Sequence, residues 1–546
     1  MKKTQVADYV VVGGGSAGSI MAARLASSGA RVVLLEAGGT DRRPDVSLPV
    51  GIVSLYATAN WKYPMAPDTS KNGQEGAFAS GRILGGSGSI NAMVYVRGRR
   101  SDYDGWAAAG GEGWSYDEVL PHFKALESWV GGADEYRGAT GPIDVSWCGH
   151  HHELDDAFIQ AAVEAGHALN PDPNGRNQLG VARTQVNQRR GLRCSSAKGF
   201  LRGLPAHQRP LVLTRKTVSR ILVEGDCAVG VECEDRIVRA SKEVILSAGA
   251  VGSPALLLRS GIGPSGRILD LPGVGENFQD HLVVSQHWAA KVPTINTMGP
   301  IRAAKAVGSL VASGTGALTT TPFEAQLFTD HFQIAITPVR YTLDAVKGRA
   351  KLERSDAFTV YTVLMHPEGR GRIKLRNGRP VLDHARLADS GDVRKLLEGA
   401  ELAKQLIESP TMRGLAGAYL DDNGLNGAAW LATTEDTISH GVGSCRMGVE
   451  SETNWGRQRP SGNVVFAVVG SWSTLSLLQP AGKRPRPSAL TPTSSAPSAS
   501  PKKFRSRRQG VLVRSLLSAA SPRQFRSSAA CEAIFNRSQN QRHPRR

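Results

Sequence analysis

Short, wholly apolar runs, separated by glycine-rich turns and by stretches of helical periodicity, organise most of this chain. The first run, Tyr9-Val10-Val11-Val12, leads into Gly13-Gly14-Gly15-Ser16-Ala17-Gly18 and a helical stretch. A second run, Val32-Val33-Leu34-Leu35, ends in Glu36. Such apolar runs predict strands. Further strands are predicted at Leu211 to Thr214, Ile221 to Val223, Gly230 to Cys233 and Glu243 to Leu246. A helix then opens at Ser253-Pro254, with proline in its first turn and Gly261 at its end. Beyond residue 283 the pattern gives strands at Phe332 to Ile336, Phe358 to Leu364 and Arg372 to Leu375, and a helix from Val393 to Ile407. Strands alternating with helices make an α/β core.

The first strand, turn and helix carry a specific chemistry. Gly13 allows the tight turn out of the strand, Gly15 lets backbone approach a pyrophosphate, and Gly18 lets the helix pack closely on the strand. The helix start offers free N–H groups to phosphate. Glu36 lies 18 residues past Gly18, at the end of the second strand, where a carboxylate accepts both hydroxyls of an adenosine ribose. Its charge repels a ribose 2′-phosphate, which favours FAD or NAD over NADP.

Composition narrows the class. At 546 residues the chain is long enough for two or more domains. It has no 18-residue apolar run, so no membrane span is expected. Met1-Lys2-Lys3 runs straight toward the first strand and leaves no room for a signal peptide, which makes the cytoplasm the expected compartment. Six scattered cysteines without a CxxC pair indicate neither a metal site nor a disulfide framework. The net charge of +18 is concentrated at one end: residues 456–546 hold 17 Lys plus Arg against one acid, leaving a net of only +2 for the rest. That segment is rich in Ser, Pro, Arg and Ala and buries too little apolar surface to offset the entropy of ordering. Its densest patch, Lys502, Lys503, Arg505, Arg507 and Arg508, has no interleaved aromatics and no binding fold around it. It supports salt-sensitive adhesion to nucleic acid and no specific recognition.

A second glycine-rich segment, Gly81-Arg82-Ile83-Leu84-Gly85-Gly86-Ser87-Gly88-Ser89-Ile90-Asn91-Ala92-Met93-Val94-Tyr95, permits a flat ring or a phosphate to lie against backbone. The stretches Gly81 to Asp104, Gly249 to Gly263, Gly273-Val274-Gly275-Glu276-Asn277-Phe278-Gln279-Asp280-His281 and Ser439-His440-Gly441-Val442-Gly443-Ser444-Cys445-Arg446-Met447-Gly448 follow in order. Together with the N-terminal cradle they make the chain resemble the glucose-methanol-choline (GMC) family of FAD-dependent oxidoreductases over roughly residues 5–450. The resemblance implies a Rossmann-like FAD-binding domain with a second, α+β substrate domain, an antiparallel sheet flanked by helices. It places 1–282 in the FAD domain, with 438–455 returning to it, 283–437 in the substrate domain, and 456–546 outside both. It also implies pyrophosphate contacts at Gly13, Gly15 and Gly18, ribose binding by Glu36, adenine against the backbone of Val218, and cofactor binding at Gly86 and Ser87. Asn91, Ala92, Met93 and Val94 would run along the isoalloxazine ring. Members with a covalent flavin carry histidine where this chain has Ile90, so the expected FAD is non-covalent.

The implied reaction is oxidation of a small-molecule alcohol by hydride transfer to flavin N5, with His440 as the base. An alcohol C–H is a poor hydride donor until its hydroxyl proton is removed, and imidazole titrates in the right range. His281, His366 and the pair His150-His151 read as structural or solvated, and Cys445 as packing. Choline, aliphatic or aromatic alcohols and polyols all remain open as substrates, as do oxygen and other electron acceptors. A flavin-containing lyase of the same family is the first alternative. The second is a non-catalytic remnant, because the family's second catalytic His or Asn, expected soon after the histidine motif, is absent. The composition from Gly456 onward is what an out-of-frame reading of a GC-rich gene would produce, and a divergent but real ending and a functional disordered basic arm are the open alternatives. Loss of such a polar partner costs about 10² to 10³ in rate.

Overall fold

Two sheets, one mainly parallel and one wholly antiparallel, form the frame of the protein. The computed structural model describes residues 2–446 apart from 69–72, 74–75, 110, 112, 226, 345–348 and 422–426, together with the backbone of one strand, Val464–Phe466. The first sheet is built from β1 (Lys3–Val12), β2 (Val32–Leu35), β4 (Leu211–Leu213), β5 (Val218–Glu224), β6 (Cys227–Cys233) and β7 (Arg236–Leu246) in the order β4-β2-β1-β7-β6-β5. Strands β4, β2, β1 and β7 are mutually parallel, and β5 to β7 form an antiparallel meander at one side. Helix α1 (Ser16–Ser27) follows β1, and α3 (Gly249–Arg259) follows β7.

The period of two explains why the apolar runs are unbroken. Val11, Val32, Leu34 and Ile245 project into a core shared with α1, whereas Val10, Val12, Val33, Leu35, Val244 and Leu246 project into the opposite core with Leu256 and Leu257 of α3. Helix α3 begins at Gly249, four residues before the expected start at Ser253, so Pro254 lies inside it. Proline has no N–H for the carbonyl one turn back, that of Ala250. The hydroxyl of Ser444 donates to that carbonyl at 2.5 Å, pinning the distant histidine motif to α3.

The second sheet has the order β12-β8-β11-β10-β9-β3, from β12 (Ala416–Tyr419), β8 (Leu282–Ala290), β11 (Ala357–Leu364), β10 (Phe332–Thr337), β9 (Ala325–Phe328) and β3 (Gly180–Arg183), with β13 (Glu435–Thr437) also pairing β8. Every pair in it is antiparallel. Helices α2 (Glu153–Glu164) and α5 (Ser390–Ile407) cover it, burying Leu154 and Phe158 from one and Leu396, Ala403 and Leu406 from the other. Asp389 caps α5 by accepting the Asp392 amide, which starts the helix three residues before the apolar periodicity at Val393. The expected α/β architecture with an antiparallel second sheet is present. The chain crosses between the layers earlier than the expected division at 282/283, because α2 and β3 supply apolar surface to the second core.

Within 456–546, only Val464–Phe466 is described: it pairs in parallel with Val244–Leu246 of β7 as β14. The rest of the basic segment lies outside the described residues. Among the described residues no helix is long and apolar enough to cross a membrane, and no group of three or more His, Cys, Asp or Glu could hold a metal ion.

Candidate functional site

A cleft enclosing about 1220 Å³ of empty space, mouth included, opens where β1, β2 and β7 end. This is the crevice at the carboxyl ends of parallel strands where α/β proteins bind ligands. Its wall includes Gly13, Gly15, Glu36, Gly86, Ser87 and Val218, and at the far end Ser439 and Gly441. The glycines keep it open for different reasons. Gly13 has φ +95°, and a Cβ there would sit 2.5 Å from the Ser247 carbonyl oxygen. A Cβ on Gly18 would collide with the carbonyl oxygen of Gly13, so this glycine sets the α1–β1 approach and stays off the cleft wall. Gly15 has an ordinary φ of −72°, and a Cβ there would meet only Gly86 Cα at 3.8 Å and Ser247 O at 3.9 Å. Nothing in the protein itself forbids a side chain at Gly15, so a ligand is the physical reason to keep that spot bare. Opposite it, Gly86 (φ +57°) would place a Cβ 2.6 Å from Gly15 Cα. The loop bearing Gly86 is tied down by the Gly85 amide donating to Gly14 O at 2.7 Å and the Gly81 amide to Ser87 Oγ at 3.1 Å.

Glu36 is buried, and its two carboxylate oxygens accept the amides of Gly14 (2.8 Å) and Gly38 (2.7 Å). Burial pushes its pKa up to about 7 against the pull of those amides. Because the folded pKa lies above the unfolded value of 4.5, this group's contribution to apo stability is full below pH 4.5 and is lost as pH rises through about 7. Ribose hydroxyls donating to this carboxylate would favour its ionised form, so FAD held there would release a proton on binding below pH 7. The expected result is a Kd for FAD that falls up to about tenfold per unit from pH 5.5 to 7 and is level above, measured by quenching of flavin fluorescence. Glu36→Gln flattens that profile.

At the far end, the two glycine-rich motifs around Asp280 and His440 meet as a short paired segment. Gln279 and Val442 exchange backbone hydrogen bonds at 2.9 and 2.8 Å, and the Gly275 amide donates to Ser444 O at 2.9 Å. Buried Asp280 organises the corner: one oxygen accepts the amides of His440 (2.7 Å) and His281 (2.8 Å), the other accepts His384 Nε2–H (3.2 Å) and the Thr437 hydroxyl. The His440 ring lies with Nδ1 3.1 Å from His281 Nδ1, so one of the two rings donates to the other. Burial pushes the His440 pKa down to about 4, with the Asp280 carboxylate pulling the other way, and the ring is neutral at pH 7. The buried His281 is pushed down as well, and the Met365 carbonyl lies against its ring.

His281, expected to be structural or solvated, is buried and lies in direct contact with His440, 159 residues away. Asp280 lies inside the Gly273 to His281 motif, but its hold on the two histidine amides has no local signal in the sequence. His150 is held 2.8 Å from buried Glu324 and His366 3.1 Å from Asp102, both structural pairings. Cys445 is buried beside Leu246 and Val274, its thiol pushed up to about 12 by burial, and it packs as expected. Four other expected site residues are engaged away from the cleft wall. Asn91 accepts from Arg193 (2.6 Å) and from the Met93 amide, Ala92 O accepts the Thr321 hydroxyl at 2.5 Å, Met93 packs on Cys148 and Val186, and Val94 bridges Val186. The open glycine cradle at Gly13, Gly15 and Gly86 and the amide-accepting carboxylate of Glu36 fit a flavin adenine dinucleotide.

Comparison with known proteins agrees with this geometry. Two family models described as GMC oxidoreductase match residues 7–283 and 367–455. An oxygen-dependent choline dehydrogenase of Photobacterium profundum is 34% identical over 492 residues, 82% of this chain and 84% of that protein. An alcohol dehydrogenase [acceptor] of Pseudomonas putida is 34% identical over 486 residues, 81% of this chain and 86% of that protein. Among solved structures, pyridoxine 4-oxidase from Mesorbium loti superposes with a TM-score of 0.74 at 27% identity, covering 86% of this chain and 95% of that one.

Proposed function

This chain belongs to the GMC oxidoreductases, FAD-dependent enzymes acting on CH–OH donors, and we propose that it oxidises a small primary alcohol with His440 as the base. The observation carrying the reading is that Ser439 and Gly441, the neighbours of His440, wall the same cleft as Gly13, Gly15 and Glu36. A single bound molecule can thus run from the acidic ribose acceptor to the segment that carries His440.

The residues divide the work by chemistry. Glu36 accepts ribose hydroxyls, the bare backbone at Gly13 and Gly15 admits the pyrophosphate, and Lys216 to Val218 close the adenine end. Apolar Ile90, packed with Val46, Leu55 and Ile83, offers no nucleophile, which supports a non-covalent cofactor. With Nδ1 donating to His281, His440 presents Nε2 as its basic nitrogen. Asp280, accepting both histidine amides, holds that ring pair in place. The substrate hydroxyl gives its proton to Nε2, and Phe78, edge-on to Phe278 at 5.6 Å, keeps that end of the cleft apolar. Bound FAD supplies the acceptor for the hydride that leaves the carbon.

The test is anaerobic addition of choline, aliphatic and aromatic primary alcohols to FAD-loaded protein. Bleaching of the flavin's visible absorption by at least one of them is the expected result. A spectrum unchanged across the panel overturns the reading, and turnover of an alcohol without bleaching assigns lyase chemistry instead.

A further inference from the structure

Helix α4 (Pro300–Ser313) stands out from the second sheet with only Ala306 buried. It is fixed by its ends more than by packing, with Pro300 at its first position and Gly314 in the left-handed conformation (φ 71°) after its last. At 3.6 residues per turn its sides separate cleanly. Ile301, Ala304, Val307, Gly308, Val311 and Ala312 share an arc of about 140°, all of them exposed. Ile301 is 85% exposed and Val311 81%. One border of this arc carries Lys305, Ser309 and Arg302, and the sheltered side carries Ala303, Ala306 and Leu310.

An exposed apolar stripe on a surface helix marks a contact surface. Charge says what kind. From residue 291 to 323 there are three cations and no acid. Arg302 donates to the carbonyls of Thr294 and Pro293 and has Asp356 nearby, while Lys305 stands at the edge of the apolar face. A second copy seated face to face would bring both sets of cations to one seam. The stripe, with three of its six positions Ala or Gly, also offers far less than the roughly 800 Å² per partner that a stable dimer buries. Shallow insertion into a lipid surface needs only a few aliphatic side chains and a cationic border level with the headgroups.

We propose that α4 docks the protein on an anionic lipid bilayer, Ile301, Val307 and Val311 entering the acyl boundary and Lys305 meeting the headgroups. The full chain is floated with phosphatidylcholine vesicles, with and without phosphatidylglycerol, across a salt series. The basic segment 456–546 adds electrostatic attraction that is screened by about 0.5 M salt, where the Debye length is only ~4 Å. Wild type is expected to remain vesicle-bound there, and Val307→Glu/Val311→Glu to lose at least about tenfold in partitioning with unchanged FAD content and thermal midpoint. At low salt, Lys305→Glu narrows the preference for anionic over neutral vesicles. Equal flotation of wild type and the double variant, or none by wild type in high salt, overturns the proposal. A lipid-free dimer that the double variant dissociates assigns the face to a second copy. Lost alcohol turnover with vesicle binding intact assigns it to covering the active site.

Discussion

His440→Gln yields a protein that folds and takes up FAD yet reduces it with alcohol about 10² to 10⁴ times more slowly than wild type, the usual worth of a positioned general base. Glutamine keeps the backbone amide that Asp280 holds at 2.7 Å, so the corner around the paired motifs survives while the basic nitrogen does not. Rapid-mixing measurement of flavin reduction checks the rate, and an unaltered flavin spectrum checks the fold. Stability against pH gives an independent readout. The folded pKa of His440, about 4, lies below its ordinary 6.5, so its contribution to stability is full above 6.5 and is lost as pH falls through about 4. The glutamine variant lacks this term, and its thermal midpoint falls less than that of wild type between pH 6.5 and 4. A variant that reduces flavin at the wild-type rate removes His440 from the chemistry.

Gly13→Ala and Gly15→Ala separate two requirements that one motif combines. At Gly13 the backbone is left-handed (φ +95°) and the new methyl meets the carbonyl of Ser247 at 2.5 Å, which is main chain of β7's end and has no rotamer to yield. The expected loss is about 2–4 kcal/mol of stability, together with FAD binding. At Gly15 the backbone is ordinary and the methyl has 3.8 Å to its nearest neighbour. Gly15→Ala is therefore expected to fold with a near-wild-type thermal midpoint as the apo protein and to bind FAD at least about tenfold more weakly, because the methyl stands where the pyrophosphate must approach. Denaturation curves of the apo proteins and flavin titrations decide both. Wild-type FAD affinity in Gly15→Ala rejects the cradle.

Local patterning and covalent geometry account for what was legible in advance. Val10 to Val12 and Val32 to Leu35 are apolar at every position because both faces of β1 and β2 are buried, and that pattern needs no partner to be recognised. Gly13, Glu36 and Gly86 share a cleft wall because strand, turn and helix follow one another within one unit and Gly86 returns to it. The start of α3 lies four residues before the sequence signal because Pro254 marks a first turn unless another group serves the carbonyl it abandons, and that group, Ser444, lies 194 residues away. The association of β3 with the second sheet was hidden likewise, since a four-residue strand declares its faces but not its neighbour.

The sequence by itself determined the α/β core, the dinucleotide cradle, the identity of the family and the candidacy of His440, because each rests on residues close together in the chain. Only the tertiary structure decided that Asp280 clamps the amides of His281 and His440, that the two imidazoles touch, and that burial leaves His440 neutral. It alone revealed the bare apolar face of α4. Hydrogen bonds, desolvation and exposure depend on what surrounds a residue in space, and chain folding assembles those surroundings from segments that carry no local mark of one another.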